Sequence, residues 1–319
     1  MKRPMRLRSN QHIRDLCAEN TFTIGQLVQP LFFVEGISKD EEIPGLKGTK
    51  RQTIHSGLAQ IEKDLESGVR NFLLFNVPSE KKESGFKHTF SQDAISQIKK
   101  QFGDSLQLWV DTCLCSSTSH GHCCVFNSER LVDLEATHQE LSGAALAFVQ
   151  AGADGISPSD MMDGRVAHIR NSLDVKGFSR IPIMSYSTKF ASQFYGPFRA
   201  AAHSAPQFGD RKAYQIDVRN RTDAIEASVR CAEEGADLLM VKPGMTSADL
   251  IAEIHTRTGK PVGAYQVSGE YASLVLLAEK GLVSFDQALL ETWNVLKRAG
   301  AQYIITYGAR EAKRLGVGS

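Results

Sequence analysis

Short, continuous apolar runs set the rhythm of this chain. Four of them, Asn71 to Phe75, Gly155 to Pro158, Leu238 to Val241 and Tyr303 to Thr306, come just after a helical pattern that closes on a glycine: Glu66-Ser-Gly-Val-Arg, Ala151-Gly-Ala-Asp, Glu234-Gly-Ala-Asp and Ala299-Gly-Ala-Gln. Helix, left-handed glycine cap and strand is the unit this pattern predicts. Four more runs lie between these units, at Leu27 to Val34, Leu106 to Asp111, Ile181 to Ser187 and Pro261 to Val267. Runs that do not alternate belong to strands buried on both faces, as in a parallel sheet.

Helical stripes separate most of the strands. Leu58, Ile61 and Leu65 share one face; Leu250, Ile251 and Ile254 share another, with Thr246 or Ser247 placed to cap it; Ser284 to Leu296 forms a third. Eight strands with helical crossovers predict an α/β fold, a (β/α)8 TIM barrel. An open doubly wound sheet is the alternative. It lacks support because no G-x-G-x-x-G follows the first strand and the repeat runs through the whole chain.

Two segments stand outside the repeat. Residues 1–25 read as an N-terminal extension arm, leaving 26–319 as the catalytic barrel domain. The stretch of about 190–217 reads as an active-site lid, since long loops in compact domains are usually functional or disordered. Gly196-Pro197, Ala205-Pro206 and Gly209-Asp210 punctuate it against regular structure, while Phe194, Tyr195, Phe198 and Tyr214 can pack it down.

Composition narrows the partners. Among 319 residues, 37 Lys+Arg balance 36 Asp+Glu, so there is no global field to attract nucleic acid or a membrane surface. An anionic small molecule must be held by local cations. No signal-peptide or membrane-spanning run is evident, which predicts a cytoplasmic protein whose six cysteines are thiols or metal ligands rather than disulfides.

A barrel's chemistry sits where its strands end. The third strand ends in Asp111 and runs into Cys113, Cys115 and Cys123; the fourth reaches Ser159 and Asp160; Lys189 follows the fifth; Lys242, Ser268 and Tyr307 end the sixth, seventh and eighth. A lysine buried in a strand is costly unless paired or neutral, and a pairing carboxylate is as good an explanation as catalysis for either one alone. Only about one amine in 2,500 is neutral at pH 7 at an ordinary lysine pKa. Two ammonium groups roughly 6 Å apart repel by about 3 kcal/mol at an effective dielectric near 20, which favours a neutral, nucleophilic amine on one of them.

Cys113, Cys115 and Cys123 form C-x-C-x7-C with His120 and His122 inside the span. Three thiolates can bind zinc and leave an open fourth position. A structural site completed by Cys124 or a histidine, and a set of unpaired thiols, fit the spacing too. Cys17 and Cys231 fall in helical patterns and read as small buried apolar residues. Arg199 and Arg211 could clamp a carboxylate, and Ser268 and Tyr307 could offer it hydroxyls.

These motifs resemble those of the porphobilinogen synthase (5-aminolevulinate dehydratase) family. Asp-Thr-Cys-Leu-Cys begins at Asp111, Thr-Ser-His-Gly-His-Cys at Thr118 and Ser-Pro-Ser-Asp-Met-Met-Asp-Gly-Arg at Ser157; Met-Ser-Tyr-Ser-Thr-Lys ends at Lys189 and Phe-Tyr-Gly-Pro-Phe-Arg at Arg199. Gly-Asp-Arg-Lys from Gly209, Met-Val-Lys-Pro around Lys242 and Tyr-Gln-Val-Ser-Gly-Glu-Tyr from Tyr265 follow in the same order, with Thr306-Tyr307 last. The likeness runs from Arg3 to within about ten residues of the end.

The resemblance implies an asymmetric condensation of two 5-aminolevulinate molecules to porphobilinogen, a step of tetrapyrrole synthesis. By it, Lys242 and Lys189 would form Schiff bases with the first and second substrate, and Cys113, Cys115 and Cys123 would hold catalytic zinc. Arg199, Arg211 and Gln215 would contact the second substrate, Ser268 and Tyr307 the carboxylate of the first. Asp111 is the candidate for proton transfer or for orienting a lysine. It further implies a homo-octamer in which the arm wraps a neighbour.

Four departures stand out. Ser116 and Ser117 follow Cys115 where an aromatic is usual at the second, and Cys124 replaces a common Gly. Ala227 occupies the place of a Glu that holds allosteric magnesium in many bacterial relatives, so magnesium regulation is not expected. Residues 125–134 lack the usual Asn-Asp turn. The rival readings are a single-lysine class I aldolase and a zinc-dependent sensor without turnover; the second lysine speaks against the first, and the intact lysine pair and lid arginines against the second.

Overall fold

The computed structural model describes residues 3–202 and 204–318. Among them, eight parallel strands carry the barrel: β1 Leu27–Val34, β2 Asn71–Val77, β3 Gln107–Thr112, β4 Gly155–Pro158, β5 Met184–Lys189, β6 Leu238–Lys242, β7 Val262–Tyr265 and β8 Tyr303–Ile305. Each pairs with its sequence neighbour and β8 returns to β1. Only the β4–β5 seam is loose, closed by the single bridge Ile156 to Ile183. This is the barrel that the repeat predicts, not an open sheet.

The four predicted glycine caps hold. Gly68, Gly152, Gly235 and Gly300 all have φ between 92° and 107°, where a Cβ would be strained. The three helical stripes lie in helices Ile54–Glu66, Ala248–Thr258 and Phe285–Arg298. Ser284 caps the last by accepting from the Gln287 N–H. Ser247 makes no side-chain cap to the helix it precedes; it ends a 3-10 turn, Met245–Ser247, whose Met245 and Thr246 N–H groups donate to Glu270 instead.

Other boundaries shift in ways that matter. β5 starts later than its apolar run and includes Lys189; Pro182 and Ile183 serve the seam instead, where the Ile156 N–H donates to the Pro182 carbonyl. β7 stops at Tyr265, so Ser268 opens the helix Ser268–Glu279 rather than ending a strand, and Tyr307 lies just beyond β8. Gly196-Pro197 begins a short helix, Gly196–Ala201, where the sequence reads as irregular; proline suits a first turn, whose N–H groups have no helical acceptor. At residues 125–134 Asn127 supplies the turn: its Oδ1 accepts the N–H groups of Glu129 and Leu131, closing a hairpin of Val125–Phe126 with Val132–Asp133.

Residues 4–8 and 11–16 form two short helical segments with no buried residue. Cys17, expected to be buried, caps the second of them and is exposed, since that helix buries no residue of its own. Cys231 is buried as expected. No described helix is long and apolar enough to cross a membrane.

Candidate active site

Lys189 and Lys242 are directly paired across β5 and β6, and only because β5 carries a bulge. The register runs Leu239 to Ser185 and then Val241 to Thr188, so one extra residue enters β5. Without it, strand alternation would turn Lys189 to the opposite face. The bulge leaves ladder groups without partners, and side chains take them. The Ser187 hydroxyl donates to the Met240 carbonyl at 3.3 Å and accepts the Met240 N–H at 3.2 Å. Arg165, itself buried, donates to the Tyr186 carbonyl at 3.1 Å and the Ser185 hydroxyl at 3.3 Å, and lies 3.5 Å from Asp160. Arg165 and Ser187 are the residues that sequence reading gave no role; the cluster of hydroxyls in a fully buried strand was their signal.

The two amines differ in surroundings. The Lys189 ammonium donates to the Ser159 carbonyl. The Lys242 nitrogen sits in an aromatic box, 4.3 Å from the ring centre of Tyr265, 4.7 Å from Tyr186, 5.0 Å from Phe198 and 5.2 Å from Tyr195. Burial, and after it the charge of Lys189, hold Lys242 well below the ordinary lysine range, with Asp111 pulling the other way. Repulsion between lysines, the cause expected from sequence, is thus second to desolvation. Burial and the nearby Cys115 push the Asp111 carboxyl up to about 7, against the two lysines.

The Cys113, Cys115 and Cys123 sulfurs lie within 4.8 Å of one another, so the three-cysteine group could hold a metal. Cys113 and Cys115 are 3.3 Å apart. Hydrogen bonds from Cys113 and Cys123 hold Cys115 well below the usual thiol range, while the donor Cys113 is pushed up. Cys124 lies outside the group, and burial pushes its thiol up to about 12. His122 is engaged on both sides: Nε2 donates to the Phe208 carbonyl at 2.9 Å, leaving Nδ1 to accept from the Tyr214 hydroxyl at 2.9 Å. Neither residue completes a four-ligand cluster here.

The segment of residues 190–202 and 204–217 runs beside this mouth, with Tyr195 and Phe198 against Lys242. Its base is sewn to β5, where the Ala191 N–H donates to Ile216 and the Ile216 N–H to Lys189. Its far side meets the cysteine loop through Arg211, which donates to the carbonyls of Gly121 and Ser204. Ser268 fastens its middle, accepting the Phe198 N–H at 3.0 Å and donating to the Phe194 carbonyl at 3.3 Å. Tyr307 is hydrogen-bonded to Tyr265 at 3.1 Å.

Several buried polar atoms have no partner among the described residues: Nε of Arg199 and Arg211, both amide atoms of Gln215, Oδ1 of Asp111 and the Tyr186 hydroxyl. Unpaired buried groups are costly, and these gather around the residues that the motifs single out. Arginines, an amide and a carboxyl left open in one enclosed mouth fit a small polar, anionic ligand.

A family profile described as Delta-aminolevulinic acid dehydratase matches residues 1–315. The chain belongs to the delta-aminolevulinic acid dehydratase family. Among relatives in that family, the Delta-aminolevulinic acid dehydratase of Halalkalibacterium halodurans is 41% identical, with 98% of this chain and 96% of the relative covered. That of Bacillus subtilis is 38% identical, over 98% and 97%. The crystal structure of delta-aminolevulinic acid dehydratase (porphobilinogen synthase) from Toxoplasma gondii ME49, in complex with the reaction product porphobilinogen, superposes with a TM-score of 0.93 at 37% identity, covering 98% of this chain and 91% of that one. Enzymes of the delta-aminolevulinic acid dehydratase family are lyases that make porphobilinogen.

Proposed function

We propose that this chain condenses two molecules of 5-aminolevulinate to porphobilinogen, with Lys242 and Lys189 as the Schiff-base lysines. The observation that carries the reading is the register pairing of two buried lysines at one barrel mouth, one of them in an aromatic box where burial holds it well below the ordinary lysine range. A neutral amine attacks a ketone, expels water and leaves an imine. The imine withdraws electrons from the neighbouring carbons, easing proton loss from one substrate or attack on the other. A carbon–carbon and a carbon–nitrogen bond form, two waters leave in all, and both lysines are regenerated. Asp111, near neutrality in its titration, is suited to pass a proton beside Lys242.

Arg199, Arg211 and Gln215 are proposed to hold the second substrate, the arginines through its carboxylate. Ser268 and Tyr307 are proposed for the carboxylate of the first, with Ser268 also fastening the 190–217 lid. Cys113, Cys115 and Cys123 are proposed to hold zinc, whose thiolate-rich donor set suits that ion. When bound, it supplies Lewis acidity that polarises the second substrate.

Residues 1–25 are proposed as an arm that packs on a second copy, giving a homo-octamer in the cytoplasm. Met5, Leu7 and Leu16 are 77%, 58% and 81% exposed, an apolar surface that a neighbour would cover. Light scattering of the full chain tests the subunit count.

The deciding experiment is porphobilinogen formation from 5-aminolevulinate, before and after chelation and with zinc restored, beside borohydride trapping of the substrate. The expected result is activity lost on chelation and regained with zinc, and a covalent adduct on Lys242 that Lys242→Met abolishes. Activity that survives complete metal removal would overturn the zinc assignment alone. Absence of both product and adduct under every metal condition would overturn the function.

A further inference from the structure

A second group of metal-ligating side chains lies on the outside of the barrel, away from the lysines. Glu135 and His138 are one helical turn apart near the start of helix Leu134–Gln150, and His168 reaches them from helix Arg165–Val175. One ligand atom from each of the three lies within 4.8 Å of the others. Spacing of three places both Glu135 and His138 on one helix face, the arrangement by which helix pairs build carboxylate–histidine metal sites.

The buried member is already arranged as a ligand. His138 is only 6% exposed, and its Nε2 is 2.7 Å from the Asp163 carbonyl. A carbonyl only accepts, so Nε2 carries the proton and Nδ1 presents a lone pair. That nitrogen has no hydrogen-bond partner among the described residues. A histidine whose far nitrogen donates to a backbone carbonyl has its tautomer and ring orientation fixed for metal binding. His168 is exposed, and no hydrogen bond among the described residues restrains its ring. Its ring lies 4.1 Å from that of His138, and 23° from parallel. Parallel lone pairs do not converge, so ligation turns the free His168 ring while His138 stays in place. A cavity of about 290 Å³ lined by both histidines, Ser142 and Asn171 leaves space for this turn and for water.

We propose that Glu135, His138 and His168 form a second divalent-metal site, independent of the three cysteines. Two imidazoles and one carboxylate select a borderline cation such as zinc, nickel or cobalt over magnesium or calcium, which prefer all-oxygen shells. Three protein ligands leave the remaining positions to water. Because Asp163 follows Asp160 in the loop beyond β4, the same histidine that would hold the ion also anchors the loop leading to the barrel mouth.

The test uses the full chain, stripped with chelator and dialysed against cobalt at low-micromolar free concentration, with bound metal counted by emission spectroscopy. Wild type should retain one more equivalent than His168→Ala or Glu135→Gln. His168→Ala should keep the near-ultraviolet absorption that thiolate ligands give cobalt, because the cysteine group is untouched. Unchanged thermal melting of His168→Ala in chelator would establish that its fold is intact; His168→Gln serves if it is not. Equal metal content in wild type and the His168 variants, or one equivalent in wild type bound only through thiolates, would overturn the proposal.

Discussion

Ser268→Ala separates two roles that one hydroxyl is asked to fill. The Ser268 hydroxyl makes two hydrogen bonds to the proposed lid, at Phe198 and Phe194. At about 0.5–1.5 kcal/mol each, their loss weakens lid closure by about 1–3 kcal/mol, or roughly 5- to 150-fold in the opening equilibrium. Phe198 is a wall of the Lys242 box, so an open lid hydrates the amine and returns its pKa toward the ordinary lysine value. Hydrogen exchange should therefore quicken at the Phe198 amide, and borohydride trapping at pH 7 should slow. Gly269→Ala is the companion. A Cβ there would lie 2.7 Å from the Phe194 oxygen and 2.8 Å from its Cα, which pushes the lid away while keeping the Ser268 hydroxyl. If trapping slows in Ser268→Ala but not in Gly269→Ala, although both accelerate exchange, the lid argument fails and the hydroxyl acts on substrate alone.

Three other perturbations probe the frame around the site. Burial pushes Glu270 from its ordinary 4.5 to about 7, despite the Met245, Thr246 and Val267 N–H groups that it accepts. The folded state then binds its proton more tightly than the unfolded state, so this stability is full below pH 4.5 and is lost as pH rises to 7; urea titrations should show a shallower decline across that window in Glu270→Gln, and an identical slope refutes it. Gly155→Ala places a Cβ 2.3 Å from the Trp109 ring and should cost about 1–3 kcal/mol in the same assay, unlike Gly143→Ala, whose Cβ meets nothing within 4 Å and which has no positive φ. Ser187→Ala removes both side-chain links to Met240 at the bulge and should raise KM or lower kcat through Lys189 rather than Lys242, visible as normal adduct formation on Lys242 with slow product formation.

The barrel was legible because its cues are local. Four glycine caps and eight apolar runs require no knowledge of what lies opposite, and β1 and β4 fall on their expected residues. The mouth was legible in its inventory, since reactive residues fall where strands end. What escaped were properties set by neighbours. Nothing local reveals that β5 holds one residue more than β6 across the same span, so strand ends could bring the two lysines to one mouth but could not give their register pairing. The box around Lys242 draws Tyr186, Tyr265 and Phe198 from two strands and the 190–217 segment, a convergence that no window of sequence contains. Cys17 failed in the opposite direction: its helical pattern was real, but the helix is too short and isolated to bury anything within one chain.

The ranking of causes at Lys242 gives the two-lysine arrangement a physical logic. If mutual repulsion were the main device, both amines would be perturbed alike and either could act first. The structure instead spends its apolar surface on one of them. Lys242 is enclosed by rings, and burial leads in holding it well below the ordinary lysine range, whereas Lys189 donates to the Ser159 carbonyl. The asymmetry of surroundings suits the proposed asymmetric condensation, in which the enclosed amine of Lys242 would meet the first ketone. Tyr265→Ala, which opens the box without touching either lysine, should then slow adduct formation on Lys242 more than on Lys189; equal slowing at both, read by mass spectrometry of the trapped chain, would mean that repulsion rather than burial orders the two steps.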